Sequence, residues 1–122
     1  MKKFVHLSIL IFMGGVNALF SAETSSEVDL GKGRKVFEST CFVCHGSDGK
    51  GPLPGVPDLT KKDSRLLQEV ELLVKHAIEG YQTPGNPLAM PPKGGNPGLS
   101  ESEIRDSVAY MRAQFAPNPK KK

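Results

Sequence analysis

The stretch Cys41-Phe42-Val43-Cys44-His45 constrains this chain more than any other. Two thiols stand three residues apart and an imidazole follows at once. Each thiol can add across one vinyl group of a haem, leaving two thioethers. The next residue is then held beneath the iron, where a neutral imidazole is a good ligand. Cys-x-x-Cys-His is a signature of such attachment. Three other uses of two cysteines compete with it. A mutual disulfide would suit an exported protein. A thioredoxin-like redox pair would follow a strand and open a helix, whereas here a helical pattern precedes the cysteines and loop signals follow them. A zinc site needs more ligands: beyond the N-terminal segment the chain offers only His45 and His76 as histidines, and no third cysteine. The expected cofactor is one covalent haem c, held by Cys41, Cys44 and His45.

With 122 residues the chain has room for one domain. Lys2 and Lys3 precede an apolar run, Phe4 to Phe12, broken only by His6 and Ser8; Met13 to Ala22 is mostly small or apolar. That length suits an export signal better than a full membrane span. Cleavage after Ala18 would put Val16 at the third position back, and cleavage after Ala22 would put bulky Phe20 there; the site stays open between the two. An uncleaved anchor, holding the domain at a membrane, is the alternative. The expected division is a signal peptide over 1–22, a flexible lead-in over 23–27, the domain over 28–116 and a basic tail over 117–122. The expected location is the periplasm.

Net charge matters only for what it excludes. The formal +3 includes Lys2 and Lys3, which leave with the signal, and the terminal run Lys120 to Lys122; without those five lysines the body carries −2. No basic stripe with interleaved aromatics is present, so nucleic acid is not an expected partner. The lysine tail reads as solvated chain. A body of roughly 100 residues buries a limited core, which an apolar macrocycle would help to fill.

Asp29 is placed to cap a helix. Leu30, Gly33, Phe37 and Cys41 then recur on one helical face, with Gly33 marking a close approach by another helix. Residues Gly46 to Pro57 read as loop. A backbone carbonyl from this loop, that of Pro57 above all, is expected to accept the second N–H of the His45 ring and fix its tautomer; Leu59 would then face the haem. Asp63 or Ser64 opens a second helix to about Ile78, with Leu66, Val70, Leu73, Val74 and Ala77 on its apolar face and Gly80 as its C-terminal cap. His76, among acidic and basic neighbours, reads as a solvated surface residue rather than a ligand. Ser100 and Glu103 form a capping box for a last helix ending near Phe115.

Between the last two helices, Tyr81 to Leu99 is dense in proline and glycine. So long a segment without regular structure is usually functional or disordered. Met90 stands in its middle, before Pro91 and Pro92, where proline favours extended backbone. A thioether there can be aimed at a metal, and sulfur opposite histidine raises a haem's potential. Met111 is the rival, but Ile104, Val108, Met111 and Phe115 recur at helical spacing, which makes Met111 core. The expected metal ligands are therefore His45 and Met90.

In these residues the sequence resembles the class I c-type cytochromes over nearly all of the mature chain. Gly33 and Phe37 stand before Cys41 as in that family's first helix, Pro57 and Leu59 look like its Pro-x-Leu, and Val108-Ala109-Tyr110 looks like its final helix. The run Met90-Pro91-Pro92-Lys93-Gly94-Gly95 is similar to the small bacterial subgroup called cytochrome c-five, many of whose members carry an extra cysteine pair that this chain lacks. The resemblance implies an all-α class I cytochrome c fold, three to four helices around one covalently attached haem with an exposed edge. It also implies His45 and Met90 as axial ligands and Gly33 packed near Tyr110.

Closed on both axial faces, such an iron has no open position for substrate, which points to single-electron transfer rather than catalysis. The expected protein is a monomeric carrier between redox protein partners, a reductase upstream and an oxidase or reductase downstream, meeting a membrane only through an uncleaved signal or through those partners. Contacts of this kind are small and short-lived. The loops flanking Met90 and the residues Phe42 and Val43 are the expected docking surface. The alternatives are a haem-bearing subunit of a larger oxidoreductase complex, and an enzyme or gas sensor with a labile sixth ligand; no acid/base pair is placed to help the latter.

Overall fold

The computed structural model describes residues 27–118; the expected export signal, its cleavage site and the terminal lysine run lie outside the described residues. Helix α1, Leu30–Val36, begins as its sequence requires: the Asp29 carboxylate accepts a hydrogen bond from the Lys32 N–H at 2.9 Å. The helical path does not stop there. It continues through a π-helical turn, Phe37–Cys41, into α2, Phe42–His45. A π turn takes in one more residue than an α turn, so it resets which face follows. The expected stripe departs at its first member, which precedes that turn. Leu30 is 47% exposed, whereas Val36 and Phe37 are buried.

Gly33 lies where α1 crosses α4, Glu101–Phe115. A Cβ there would stand 2.5 Å from the Asp106 carbonyl carbon and 3.1 Å from the Ser107 nitrogen. The close approach expected at this glycine is therefore real, but it falls one turn before Tyr110, the residue the resemblance implied. Tyr110 meets Phe37 instead, with ring centroids 5.5 Å apart. Leu30 lies outside this contact because the crossing centres one turn further along α1.

The single helix expected from Asp63 or Ser64 to Ile78 is two pieces. Ser64 caps only a short 3₁₀ turn, Arg65–Leu67, by accepting from the Leu66 N–H at 3.2 Å. Gln68 and Glu69 are extended, and α3 runs over Val70–Glu79. The break has a packing reason. Leu66 and Val70, four residues apart, would share one face of a continuous helix. With the break, Leu66 joins Phe37, Leu59, Met111 and Phe115, while α3 packs Val70 and Val74 against Val36, Leu99, Ile104 and Val108. Gly80 ends α3 at φ 81°, a conformation that glycine adopts freely.

α4 follows its sequence closely. Ser100 Oγ accepts from the Glu103 N–H, and the Ser100 N–H donates back to the Glu103 carboxylate at 2.8 Å. Ile104, Val108, Met111 and Phe115 are all buried. Arg105 donates twice to the Glu71 carboxylate and so clasps α4 to α3. Among the described residues there is no strand, only an isolated antiparallel bridge between Tyr81 and Met90. None of their helices is long and apolar enough to cross a membrane.

Candidate functional site

A mainly apolar cavity of about 440 Å³ opens between the helix carrying the cysteines, α3, α4 and the two loops. Cys41, Cys44, His45, Pro57, Leu59 and Met90 all line it. These residues come from three parts of the chain, and the fold brings all six to one space. Apolar pockets of several hundred Å³ with a few convergent polar groups are what cofactors occupy.

The cysteines reach the cavity because they lie on one continuous helical segment, Cys41 closing the π turn and Cys44 one α turn later. Both thiols are free. Burial pushes the Cys41 thiol pKa up, and a hydrogen bond with Ser107 on α4, 3.7 Å away, works against that. Nothing in the sequence marks Ser107. It is a small polar residue beside the apolar stripe of α4, buried to 3% exposure, and only the crossing of α1 with α4 reveals its contact.

His45 is the last residue of α2. Burial holds its imidazole below the ordinary value, favouring the neutral form that can ligate a metal. Its Nδ1 is buried and has no hydrogen-bond partner. The expected bond to the Pro57 carbonyl is thus not made. Pro57 lines the same cavity, but its loop is fixed by its own turns: Gly51 N–H donates to the His45 carbonyl at 3.0 Å and Val56 N–H to the Leu53 carbonyl at 3.1 Å. Leu59, buried at 4% exposure, packs against Phe37, Leu66, Met111 and Phe115 while lining the cavity. A buried polar atom without a partner costs about 1–3 kcal/mol, so this ring nitrogen is available to a group brought near it.

Met90 is held by backbone pairing. Its N–H donates to the Tyr81 carbonyl at 2.9 Å and its carbonyl accepts from the Tyr81 N–H at 3.0 Å. A Cβ at Gly80 would come within 2.8 Å of the Met90 carbonyl oxygen, so the segment rests against the end of α3. The sequence marks Gly80 as a helix end; nothing in it marks a pairing across nine residues. Tyr81 also collects side chains. His76 packs on its ring at 4.1 Å between centroids, and the Arg65 guanidinium lies 5.1 Å from the ring centroid while donating to Thr83 Oγ1 at 3.1 Å. His76 is therefore half-buried against Tyr81 at the cavity wall and not a solvated surface residue. Met111 also touches the cavity, from within the core.

The donor set fits a haem. Two free thiols on one helical segment can form two thioethers, a neutral imidazole is the next residue, and a thioether lies on the wall of the same cavity. Among the described residues, no three His, Cys, Asp or Glu side chains come together as a bare metal site would need.

The comparisons with known proteins agree with this chemistry. The family model described as cytochrome c matches residues 30–114. The cytochrome c-555 of Prosthecochloris aestuarii is 34% identical over 87 residues, which cover 70% of this chain and 87% of that protein. The cytochrome c-554(548) of Halomonas halodenitrificans is 37% identical over 75 residues, 62% of this chain and 84% of that one. Among solved structures, a chain from an electron-transfer complex of nitrite reductase with cytochrome c aligns with a TM-score of 0.52 at 30% identity, over 73% of this chain and 99% of its own. This chain belongs to the cytochrome c family and is an electron-carrying c-type cytochrome with one covalently bound haem.

Proposed function

We propose that Cys41 and Cys44 would form the two thioether links to the haem, that His45 and Met90 would ligate its iron, and that Pro57 and Leu59 would complete the wall around it. The observation that carries this reading is the convergence of all six on one cavity from three separate segments. When bound, the haem supplies a one-electron Fe(III)/Fe(II) couple, and histidine with methionine sulfur sets it at relatively high potential. The chain's own residues do the rest. Its apolar wall excludes water. Tyr81 pairs with the Met90 backbone, and Gly80 lets that segment rest on α3. His76 is engaged with the Tyr81 ring, which supports Met90 over His76 as the ligand.

On this reading the protein is a diffusible carrier rather than an enzyme, exported to the periplasm and exchanging electrons with a reductase upstream and an oxidase or reductase downstream. The related cytochrome in complex with nitrite reductase supports a redox protein as partner. Phe42 and Val43, 44% and 70% exposed beside the cysteines, are the proposed docking surface. The test is a pair of variants read by optical spectrum and potentiometry. Met90→Ala removes the sulfur-to-iron charge-transfer band of the oxidised protein and lowers the potential, while His76→Ala keeps the band. A Met90→Ala protein with unchanged spectrum and potential refutes the ligand assignment.

A further inference from the structure

Neither a helix nor a strand carries Met90, so its aim depends on what fixes the chain on either side. Upstream, Tyr81 and Gly80 do this. Downstream, the chain passes through Pro91 into a short turn, Pro92–Gly95. Lys93 in that turn has φ 53° and ψ 28°, and it is the one non-glycine residue among those described with positive φ. Gly94 and Gly95 beside it are also left-handed. Glycine would adopt the Lys93 conformation freely, whereas a residue with a Cβ resists it. Something must hold it there.

Backbone bonds hold part of the turn, Gly94 N–H to the Pro91 carbonyl at 3.0 Å and Asn96 N–H to the Lys93 carbonyl at 3.1 Å, and the Lys93 side chain adds to them. Lys93 Nζ donates to the Leu99 carbonyl at 2.8 Å and to the Pro97 carbonyl at 3.3 Å. Leu99 is buried in the cluster with Val36, Val74, Ile104 and Val108 and directly precedes the Ser100 cap of α4. The ammonium therefore ties the segment after Met90 to the core at the start of α4. An ammonium has three donors and a long stem, and two of those donors are used on carbonyls that lie beyond the turn, between it and α4.

We propose that Lys93 is a positioning residue for Met90: its ammonium, bonded to the Pro97 and Leu99 carbonyls, latches the Met90 segment against the cavity and sustains the left-handed backbone that aims it. The proposal rests on Met90 being the axial sulfur. Lys93→Gln and Lys93→Gly both remove the ammonium, but Lys93→Gly also relieves the backbone strain. The holoproteins are compared by the sulfur-to-iron band of the ferric state and by the affinity of ferric protein for added imidazole, which must displace Met90 to bind. Hydrogen bonds from a charged donor predict a rise in imidazole affinity of about ten- to a hundredfold in both variants. If Lys93→Gly binds imidazole no more tightly than the parent protein, the latch is refuted. The same result in Lys93→Gln refutes it equally. A parent protein lacking the sulfur band overturns the latch together with the Met90 assignment, whereas a parent with the band and unaffected variants overturns the latch alone. A second measurement needs no variant. Under limiting acetylation of the native holoprotein, Lys93 is modified more slowly than exposed Lys35 and Lys62; equal rates overturn the latch.

Discussion

The crossing of α1 and α4 is tested most sharply by two glycines on the same helix. At Gly33 an added Cβ would stand 2.5 Å from the Asp106 carbonyl carbon and nearer still to its oxygen. Non-bonded carbons rest at about 3.5–4 Å, so the helices must part by roughly 1 Å. Both obstructing groups are backbone and cannot rotate away. Overpacking of this kind costs about 1–3 kcal/mol, and a backbone clash belongs at the upper end. The Asp29 N–H donates to Asp106 Oδ1 at 2.9 Å across the same crossing, and losing that bond costs about 1 kcal/mol more. Better helix propensity returns about 1 kcal/mol. Gly33→Ala should therefore lose about 3 kcal/mol, a large part of the stability of a small domain, and lower the Tm by about 12–24 °C. At Gly31 the added Cβ meets only the Asp29 carboxylate oxygen that caps α1, at 3.2 Å, a side-chain atom, so the gain in helix propensity offsets any loosening of the cap and Gly31→Ala changes stability by under about 1 kcal/mol. Thermal and denaturant unfolding of the two holoproteins decides. A Gly33→Ala loss under about 1 kcal/mol, or equal losses at both sites, would refute the claim that backbone contact at Gly33 sets the helix crossing.

Two further expectations concern the core and acid stability. Met111→Leu conserves volume, so it should leave the spectrum intact and cost under about 1.5 kcal/mol; loss of the sulfur band there would exchange the roles assigned to Met90 and Met111. The Arg105 guanidinium holds the Glu71 carboxyl below its ordinary value of 4.5. A depressed carboxylate stabilises the fold above that ordinary value, and the contribution is lost as pH falls through the lower folded value. Arg105→Met should therefore be less stable than the parent at neutral pH, with the gap narrowing in acid. Urea unfolding at about pH 7 and about pH 3 measures it, and an equal gap at both would refute the clasp.

Much of this protein is local, and local features are legible in a chain. Cys41-Phe42-Val43-Cys44-His45 states its chemistry through residue type and spacing. The Asp29 cap, the Ser100 and Glu103 box, the stop at Gly80 and the stripe from Ile104 to Phe115 each depend on residues within a few turns of one another, and each appears as expected. What the tertiary structure alone decided involves residues far apart in sequence. The break at Gln68 and Glu69 and the exposure of Leu30 follow from which faces pack together, and no periodicity marks the π turn at Phe37–Cys41. The Tyr81–Met90 pairing, the Ser107 contact with Cys41 and the Lys93 latch join groups that no periodicity relates. Local propensity acts through the backbone of neighbouring residues, whereas these contacts exist only once close packing has brought distant segments together.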